Sequence, residues 1–274
     1  MSGDKKELMD PVCKIAIVTG GATGIGYSAC YQLLCEGAAH VVIGGIVPKE
    51  GEEAIKKLNE KFGKDKAIFI RCDVTCESEF DNIFKETISR YEHVDILFNN
   101  AGMLDDKRWE LTVDTNVKGV LRGCFLAFKY MGKDQCGNGG LIVNCASIVG
   151  LQPLVGAPVY CCTKHAVIGI TRCFGADFHQ SRTGIRVCSL CPGVTVTELV
   201  TNAHGRQYND EWGKEATREL NSLPKQTTEM TGKTFTYIVR HGKSGHHYIS
   251  EDSQTLHADI PDRNCFSTVV ASYK

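Results

Sequence analysis

A glycine-rich segment between a predicted strand and a predicted helix restricts the fold more than any other feature of this sequence. The segment reads TGGATGIG and begins at Thr19, directly after an apolar run of strand length at residues 14–18. A helical pattern at residues 25–35 follows it. The spaced trio Gly20, Gly24 and Gly26 is weak evidence by itself. A glycine loop that joins a strand to a helix, however, is typical of dinucleotide-binding βαβ units. The segment therefore predicts such a unit at the start of the fold.

Three of the four glycines in the loop have a steric reason to be glycine. Gly20 permits the tight turn, Gly24 leaves space for a pyrophosphate group, and Gly26 allows the helix and the strand to pack closely. The helix that follows presents unpaired N–H groups and a partial positive charge to the phosphates. The spacing, G-x-x-x-G-x-G, differs from the G-x-G-x-x-G pattern, so the loop is a variant of the motif.

The first two thirds of the chain alternate apolar runs with amphipathic helical patterns. Runs that are apolar on both faces predict buried parallel strands, and the helices between them predict right-handed crossovers. We therefore predict an α/β fold: one Rossmann-type domain over residues 1–274, with a doubly wound parallel sheet of about seven strands and helices on both faces. The predicted strands lie at residues 14–18, 40–43, 67–70, 94–98, 141–143, 185–190 and 246–250. The predicted helices lie at residues 25–35, 52–62, 77–91, 116–131, 163–178 and 231–241.

Composition and charge argue against several function classes. The chain has 274 residues, a formal net charge of −1, and basic residues interleaved with acidic ones. We therefore expect neither nucleic acid nor an anionic membrane as partner, and because no apolar run reaches about 18 residues, we expect no membrane span. The 14 cysteines include one C-x-x-C, Cys188 and Cys191, but no second cysteine or histidine pair stands at zinc-ligand spacing. We therefore expect no metal site and small, buried, reduced thiols. The polar N-terminus without an apolar signal core predicts a cytoplasmic location.

Further motifs follow the glycine loop in a fixed order. They are Asp73-Val74 after the third strand, NNAG from Asn99, then Asn116, Ser147, YCCTK from Tyr160, and Pro192-Gly193. With these motifs the chain resembles the short-chain dehydrogenase/reductase family from about residue 12 to residue 199. The segment PVYCCTKHAVIGITR, at residues 158–172, resembles 15-hydroxyprostaglandin dehydrogenase-like members, and CPGVTVT, at residues 191–197, resembles insect alcohol dehydrogenases.

The resemblance implies roles for individual residues. In the catalytic group, Tyr160 exchanges the proton and Ser147 holds the substrate oxygen. Lys164 supports Tyr160 and binds the nicotinamide ribose, and Asn116 anchors a water that links Lys164 to solvent. The cofactor-binding residues that the resemblance implies are Gly20, Thr23, Gly24, Ile25, Gly26, Asp73, Val74, Asn100, Ala101, Gly102, Tyr160, Lys164, Pro192, Gly193, Thr195 and Thr197.

The spacing of Tyr160 and Lys164 also suits the chemistry. Oxidation of an alcohol requires removal of its hydroxyl proton, and a tyrosine with a pKa of about 10 is a poor base at neutral pH. A nearby ammonium group favours the phenolate and lowers that pKa. Residues four apart share one face of a helix, although a tyrosine and a lysine at this spacing more often only form a packed helix face.

The end of the second predicted strand leaves the cofactor incompletely specified. NAD-binding enzymes usually carry an acid there that bonds the ribose hydroxyls, but this chain has Gly44 and Gly45, of which Gly45 best matches the expected position. No arginine or lysine stands there for a 2′-phosphate, and the nearest bases are Lys49 and Lys56. We therefore expect NAD as the cofactor, with NADP and weak cofactor binding left open.

The predicted function is hydride transfer between a nicotinamide cofactor and an apolar alcohol or ketone of secondary, long-chain, lipid, terpenoid or steroid type. The apolar residues at positions 151, 153, 154, 155 and 157 are expected to line the pocket, and residues 200–230 to form a substrate lid. The alternatives are an NADPH-dependent carbonyl reductase and a nucleotide-binding or storage relative with weak or no activity. The helices at residues 116–131 and 163–178, which pair subunits in the family, predict a homodimer or homotetramer.

Overall fold

The computed structural model describes residues 7–201, 203, 205–261 and 265. Residues 1–6, 262–264 and 266–274 of the predicted domain, and residues 202 and 204 of the predicted lid, lie outside the described residues. The strands are β1 (Ile15–Thr19), β2 (His40–Gly45), β3 (Ala67–Arg71), β4 (Ile96–Asn99), β5 (Gly140–Cys145), β6 (Ile185–Pro192), β7 (Val194–Thr195), β8 (Lys225–Gln226), β9 (His247–Glu251) and β10 (Gln254–Ala258). The helices are α1 (Gly24–Cys35), α2 (Pro48–Phe62), α3 (Glu77–Tyr91), α4 (Trp109–Val113), α5 (Gly119–Met131), α6 (Pro158–Phe174), α7 (Asp177–Thr183), α8 (Glu198–Thr201), α9 (Asp210–Asn221) and α10 (Thr228–His241).

Eight of the strands form one sheet, in the order β10-β9-β6-β5-β4-β1-β2-β3. The neighbouring strands from β3 to β9 are parallel, and β10 runs antiparallel to β9. The predicted Rossmann-type α/β fold is confirmed. The sequence did not indicate β10, because this edge strand is largely exposed and has no apolar run. The strand order reverses between β1 and β4, and open α/β sheets bind ligands at the carboxyl ends of the strands beside such a reversal.

Helices cover both faces of the sheet because successive side chains of a strand point to opposite sides. Ala16 and Val18 of β1 pack in one core layer with α1, α2 and α10, whereas Ile17 packs in the other with α3, α5 and α6. All three side chains are completely buried. Burial of a large apolar side chain contributes about 1.5–3 kcal/mol, so the two layers hold the strand ends firmly in place.

Helix α6 differs from the helix predicted at residues 163–178. It begins at Pro158, because a proline at the first helical position has no N–H to leave unpaired and its fixed φ suits a helix. The helix ends at Phe174, and α7 follows as a separate helix. At Gly175 the chain lies directly against the backbone of Gly245, where any side chain would overlap it. The predicted single helix is therefore wrong at both ends.

The helix predicted at residues 116–131 begins with a π-helical turn, Asp114–Lys118, which continues into α5. Asn116 is buried in this turn. A π-helical turn within a longer helix is frequently found at a functional site. The local distortion therefore coincides with a residue that the family resemblance had marked.

The polar stretch predicted as a lid, residues 200–230, contains the whole of α9 and its connections. Gly213 and Ala216 of α9 are buried against the body of the protein, while most of the other side chains of the helix are exposed or half-buried. In the part of the chain that the structure describes, no helix is long and apolar enough to cross a membrane. Within the same residues, no three His, Cys, Asp or Glu side chains are grouped so that they could hold a metal ion.

Candidate active site

A cavity of about 670 Å³ lies at the carboxyl ends of the central strands, beside the reversal of strand order. The N-terminus of helix α1 and the first turn of helix α6 both line this cavity. Most of the predicted site residues line it, although they come from distant parts of the sequence. Those that line it are Gly20, Thr23, Gly24, Ile25, Asn100, Ala101, Gly102, Ser147, Tyr160, Lys164, Pro192, Gly193, Thr195 and Thr197.

The glycine loop has the backbone geometry that a bound pyrophosphate requires. Gly20 and Gly24 have φ values of +63° and +57°, which favour glycine. Helix α1 has no capping side chain and no acidic residue in its first turn, so its N–H groups and positive end are not neutralised. Because Thr23, Gly24 and Ile25 line the cavity, this end of the site fits a dinucleotide phosphate.

The NNAG segment holds the glycine loop in place. The side-chain amide of Asn100 donates hydrogen bonds to the carbonyl oxygens of Thr19 (3.0 Å) and Gly20 (3.1 Å). The hydroxyl of Thr19 in turn accepts hydrogen bonds from the backbone N–H groups of Asn100 (3.0 Å) and Ala101 (3.1 Å). The ends of β1 and β4 therefore form one rigid wall of the cavity.

Tyr160, Lys164 and Ser147 meet at the other side of the cavity. Tyr160 is in the first turn of α6, and the Nζ atom of Lys164, one turn later, lies 5.5 Å from the centre of the tyrosine ring. Lys164 Nζ also donates a hydrogen bond of 2.7 Å to the carbonyl oxygen of Cys145 at the end of β5. Ser147 precedes the short helical turn after β5, and its hydroxyl donates a hydrogen bond to Pro192 O (3.4 Å) and accepts one from Val149 N (3.3 Å). The same hydroxyl lies beside the Tyr160 phenol. The predicted catalytic side chains other than Asn116 thus share one wall of the cavity.

Burial is the largest influence on the pKa values of Tyr160 and Lys164. It raises the pKa of the Tyr160 phenol, while the neighbouring Ser147 hydroxyl has a smaller, lowering effect on that pKa. Burial also lowers the pKa of the Lys164 ammonium group. The sequence predicted that Lys164 would lower the pKa of Tyr160, and the structure gives the opposite direction because both side chains are more than nine-tenths buried.

Asn116 lies behind the cavity wall rather than in it. Its side-chain oxygen accepts a hydrogen bond from Met103 N (2.9 Å), and its nitrogen donates to Met103 O (2.8 Å) and to the hydroxyl of Thr163 (3.1 Å). A Cβ atom on Gly102 would lie 3.2 Å from Asn116 Oδ1 and 3.7 Å from Lys164 Nζ. Asn116 is therefore close to Lys164, but its side chain connects the loop after β4 to α6.

Comparisons with known proteins agree with this arrangement. A sequence model of the family described as short chain dehydrogenase matches residues 14–207, which is more than half of the chain. The chain belongs to the short-chain dehydrogenase family. Among curated members, alcohol dehydrogenase 2 of Ceratitis cosyra is 35% identical over 237 residues, which cover 86% of this chain and 91% of the relative. The 15-hydroxyprostaglandin dehydrogenase (NAD(+)) of Macaca fascicularis is 36% identical over 187 residues, covering 68% of this chain and 70% of the relative.

The solved structure of a levodione reductase has the same fold, with a TM-score of 0.73, 22% identity, and coverage of 83% of this chain and 91% of that chain. The predicted family and the predicted class of enzyme, a short-chain dehydrogenase, are therefore confirmed. Two groups of relatives named from the sequence, alcohol dehydrogenases and 15-hydroxyprostaglandin dehydrogenases, are both among the similar proteins.

Three predicted cofactor-binding residues of this short-chain dehydrogenase do not line the cavity. Gly26 lies beneath it, where a Cβ atom would overlap the carbonyl oxygen of Gly20, in agreement with its predicted packing role. The carboxylate of Asp73 accepts hydrogen bonds from the N–H (2.8 Å) and the hydroxyl (2.7 Å) of Thr75, so it caps the next turn. Val74 is buried beneath Gly119.

The apolar wall of the cavity differs from the one expected at residues 151–157. Leu154 lines the cavity, but Val155 is 64% exposed and Ala157 is buried outside it. The other apolar side chains of the wall come from Leu104 after β4, Ile148 and Val149 after β5, Val194, Val196, Leu199 and Val200 after β6, and Leu220 of α9. Sequence order gave no signal for this set, since its members converge only in the folded chain.

Proposed function

We propose that this short-chain dehydrogenase transfers a hydride between an apolar secondary or long-chain alcohol and NAD, with the corresponding ketone or aldehyde as the product. The observation that carries the proposal is one continuous cavity with three regions. The glycine loop lies at one end, the side chains of Ser147, Tyr160 and Lys164 lie at the centre, and an apolar wall that includes Leu104, Leu154 and Leu220 lies at the other end. A cofactor, an acid–base group and an apolar substrate therefore fit side by side.

In the proposed reaction the alcohol carbon loses a hydride and its oxygen loses a proton. Bound oxidised nicotinamide supplies the hydride acceptor. The Ser147 hydroxyl holds the alcohol oxygen, and the Tyr160 phenolate accepts its proton. Lys164 stabilises the phenolate and binds the nicotinamide ribose. Asn116 supports the water that returns the proton to solvent, in keeping with its place beside Gly102 and Lys164.

The raised pKa of Tyr160 gives the reaction a direction-dependent response to pH. At neutral pH the buried phenol is mainly protonated, which suits it to donate a proton to a carbonyl during reduction. Oxidation of the alcohol requires the phenolate, so we expect kcat/KM for oxidation to increase as the pH rises toward that pKa. A pH series of both directions, followed by the absorbance of reduced nicotinamide, tests this expectation.

The preference for NAD rests on the end of β2. Gly45 lies where a ribose-binding carboxylate is expected, and the residues that follow, Ile46 and Val47, are 60% and 41% exposed. None of the three offers a positive charge to the 2′-phosphate of NADP. Comparison of Kd values for NAD and NADP by titration tests the preference. A tenfold preference for NADP, about 1.4 kcal/mol, would contradict it.

A panel of secondary and long-chain alcohols, assayed with NAD and with NADP, tests the proposed activity. Tyr160→Phe removes only the hydroxyl and is expected to lower kcat by about a thousandfold, because general acid–base catalysis contributes factors of about 100 to 10,000. Tyr248→Phe is the matched control, since Tyr248 is also buried but its hydroxyl accepts a hydrogen bond from Lys243 N outside the cavity. Full activity of Tyr160→Phe would overturn the mechanism. An inactive wild-type protein that still binds NAD would favour a nucleotide-binding role instead.

We also propose that the enzyme is a homodimer or homotetramer that uses the outer faces of α5 and α6. Phe125 on α5 and Phe178 on α7 are 62% and 64% exposed, and both lie beside the partly buried Phe174 at the end of α6 or the neighbouring His179. Exposed aromatic residues in one region are typical of an interface. Light scattering of the wild type and of Phe125→Asp tests this. A wild type that is monomeric at micromolar concentration would contradict it.

A further inference from the structure

The catalytic helix α6 has no N-terminal cap of its own. Its N-cap position is occupied by Ala157, which has no polar side chain, and its first turn has no acidic residue. The N–H groups in the first turn of a helix have no partner within the helix and must find one elsewhere. In α6 the first of these belong to Val159 and to Tyr160 itself, because Pro158 has none.

Asp106, from the loop between β4 and α4, supplies the missing cap. Its Oδ2 atom accepts a hydrogen bond of 2.9 Å from Val159 N, and its Oδ1 atom accepts one of 3.1 Å from Tyr160 N. Asp106 is only 2% exposed. The carboxylate also lies at the positive end of a 17-residue helix, where a negative charge is favoured.

The backbone of Tyr160 is thus held at both its N–H group and its carbonyl group. Its N–H donates to Asp106, and its carbonyl oxygen accepts a hydrogen bond of 2.7 Å from the hydroxyl of Thr163. That hydroxyl accepts in turn from the side chain of Asn116, whose other contacts are the N–H and the carbonyl of Met103. Met103 and Asp106 belong to the same loop, so this loop holds the backbone of Tyr160 from two directions.

A buried carboxylate is an energetically unfavourable helix cap, because burial disfavours its charge. Burial raises the pKa of Asp106, against which its two backbone hydrogen bonds act, so its ionised form is less favourable here than in water. Serine, threonine or asparagine caps a helix without a buried charge. A carboxylate has the advantage that both oxygen atoms accept hydrogen bonds, which fixes two successive N–H groups of the helix together.

We propose that Asp106 is a positioning residue for the dehydrogenase reaction: it fixes the backbone of Tyr160 so that the phenol stays beside Ser147 and within reach of the substrate oxygen. This inference rests on the proposed function, because it assigns Tyr160 the proton transfer. Asp106 itself does not line the cavity in which substrate and cofactor would bind. Its effect on the reaction is through the position of Tyr160.

The chain contains a matched control in the preceding residue. Asp105 is also buried, at 5% exposure, and its carboxylate also makes two hydrogen bonds. It accepts them from the N–H and the Nε atom of Arg108, at 3.1 Å and 2.8 Å, which lie at the start of α4 and not in α6. Asp105→Asn therefore removes a buried charge from the same loop and leaves the two hydrogen bonds that cap α6 in place.

The experiment compares Asp106→Asn and Asp106→Ala with Asp105→Asn and the wild type. Steady-state kinetics as a function of pH give kcat, KM for the alcohol and the apparent pKa of the alkaline limb, and titration gives the Kd for NAD. Hydrogen exchange followed by mass spectrometry measures protection of the amides of Val159 and Tyr160. Asp106→Asn keeps the size of the side chain, so it carries the test if the alanine variant does not fold.

We expect Asp106→Asn to lower kcat by about tenfold to a hundredfold, since a misplacement of about 1 Å can have an effect of this size. The pKa of the alkaline limb should move, and the amides of Val159 and Tyr160 should exchange faster. The Kd for NAD should change by less than about twofold, because the glycine loop is not affected. Asp105→Asn should leave the kinetic pKa and the exchange of those two amides at wild-type values.

Two results would overturn the inference. Unchanged exchange at Val159 and Tyr160 in Asp106→Asn would show that Asp106 does not hold these amides in solution. Faster exchange with an unchanged kcat and an unchanged pH profile would show that the cap is only structural. An inactive wild type would contradict the proposed function instead, and the exchange measurement would still decide whether Asp106 fixes the catalytic helix.

Discussion

The two ends of the cavity are built in different ways. At the cofactor end, backbone forms the surface: the glycine loop runs along the wall, and a backbone hydrogen bond of 2.7 Å from Gly20 N to Gly44 O ties it to β2. The side-chain amide of Asn100, directly after β4, ties it to that strand. The opposite, apolar end borders residues 200–230 and is called the lid end; there, side chains form the surface. Leu104, Leu154 and Leu220 come from three separate segments and pack through apolar contacts.

This difference determines what each end can tolerate. A Cβ atom on Gly26 would overlap backbone, which cannot move without disturbing β1 and α1. The leucines of the lid end have neighbours that can adjust to a change of size at a moderate loss of stability. We therefore expect substitutions at the cofactor end to affect NAD binding and folding, and substitutions at the lid end to change which alcohol is accepted.

One contact at the lid end resembles the cofactor end. A Cβ atom on Gly156 would overlap the backbone of α9 at Trp212 and Ala216. Beside it, the carboxylate of Glu219 accepts hydrogen bonds from Val155 N (3.0 Å) and Gly156 N (3.4 Å). Helix α9 therefore lies directly on the backbone that leads into α6, so a substitution at this contact tests whether the two ends of the cavity respond separately.

Gly26→Ala should have the largest effect. The added methyl group overlaps Gly20 O and the side chain of Asn100, so the loop must shift, and we expect the Kd for NAD to rise by about a hundredfold, or 2.7 kcal/mol. Titration with NAD measures it. Gly169→Ala is the matched control, because Gly169 is also in a helix but a Cβ there meets no atom within 4 Å. It should leave the Kd unchanged and stabilise the fold by about 0.5–1 kcal/mol. Equal effects of the two substitutions on the Kd for NAD would contradict the steric requirement for glycine at position 26.

Gly156→Ala should have the next largest effect, on the substrate and not on the cofactor. Displacement of α9 should raise KM for the alcohol by about tenfold, or 1.4 kcal/mol, within the range for overpacking, with the Kd for NAD unchanged. Fluorescence of Trp212 in a Trp109→Phe background reports the displacement, since the chain has only these two tryptophans. Gly169→Ala again serves as the control. A change in NAD binding as large as the change in KM would contradict the separation of the two ends.

Gly45→Asp should have a smaller, favourable effect on NAD binding at the cofactor end. A Cβ at Gly45 would make only an ordinary contact of 3.4 Å, with Phe69 Cε2, so the side chain fits. A carboxylate there can accept a hydrogen bond from the adenosine ribose, and we expect the Kd for NAD to fall about fivefold, roughly 1 kcal/mol. The Kd for NADP should rise because of charge repulsion. Gly45→Asn, which lacks the charge, should change the NAD to NADP ratio much less; if both variants behave alike, the ribose is not bound at this position.

Leu220→Ala should have the smallest effect. It enlarges the apolar end of the cavity, and the ratio of kcat/KM for a bulky over a small secondary alcohol should rise about fourfold, equivalent to the 0.8 kcal/mol of one CH₂ group. Leu223→Ala is the control, because Leu223 packs against the same apolar cluster but does not line the cavity. The same change of ratio in Leu223→Ala would show that the effect is not due to the wall of the cavity.

Much of the fold and part of the site could be predicted from the sequence because the responsible patterns are local. The bounds of α3 agree with the prediction at both ends, since its apolar positions recur at helical spacing. The glycine loop was recognisable because Gly20 and Gly24 adopt a positive φ that few other residues tolerate. Tyr160 and Lys164 were recognisable only within a family of motifs, since their spacing by itself is common on helices.

Other features could not be predicted because they depend on contacts between distant segments. Nothing near Asp106 in the sequence indicates that it caps α6, more than 50 residues later in the chain. The direction of the Tyr160 pKa depends on how deeply α6 is buried, which a spacing of four residues does not reveal. The apolar wall shared by Leu104, Leu154 and Leu220 likewise exists only where three loops meet.

The sequence alone is sufficient to predict the alternation of strands and helices, the place of the glycine loop, and the motif residues Ser147, Tyr160 and Lys164. These follow from backbone sterics and from periodic burial, which act over a few neighbouring residues. How Tyr160 is held, the burial that raises the pKa of its phenol, and the choice of leucines that line the cavity depend on the tertiary structure. Those properties depend on desolvation and on packing, and both are set by residues that come together only when the whole chain has folded.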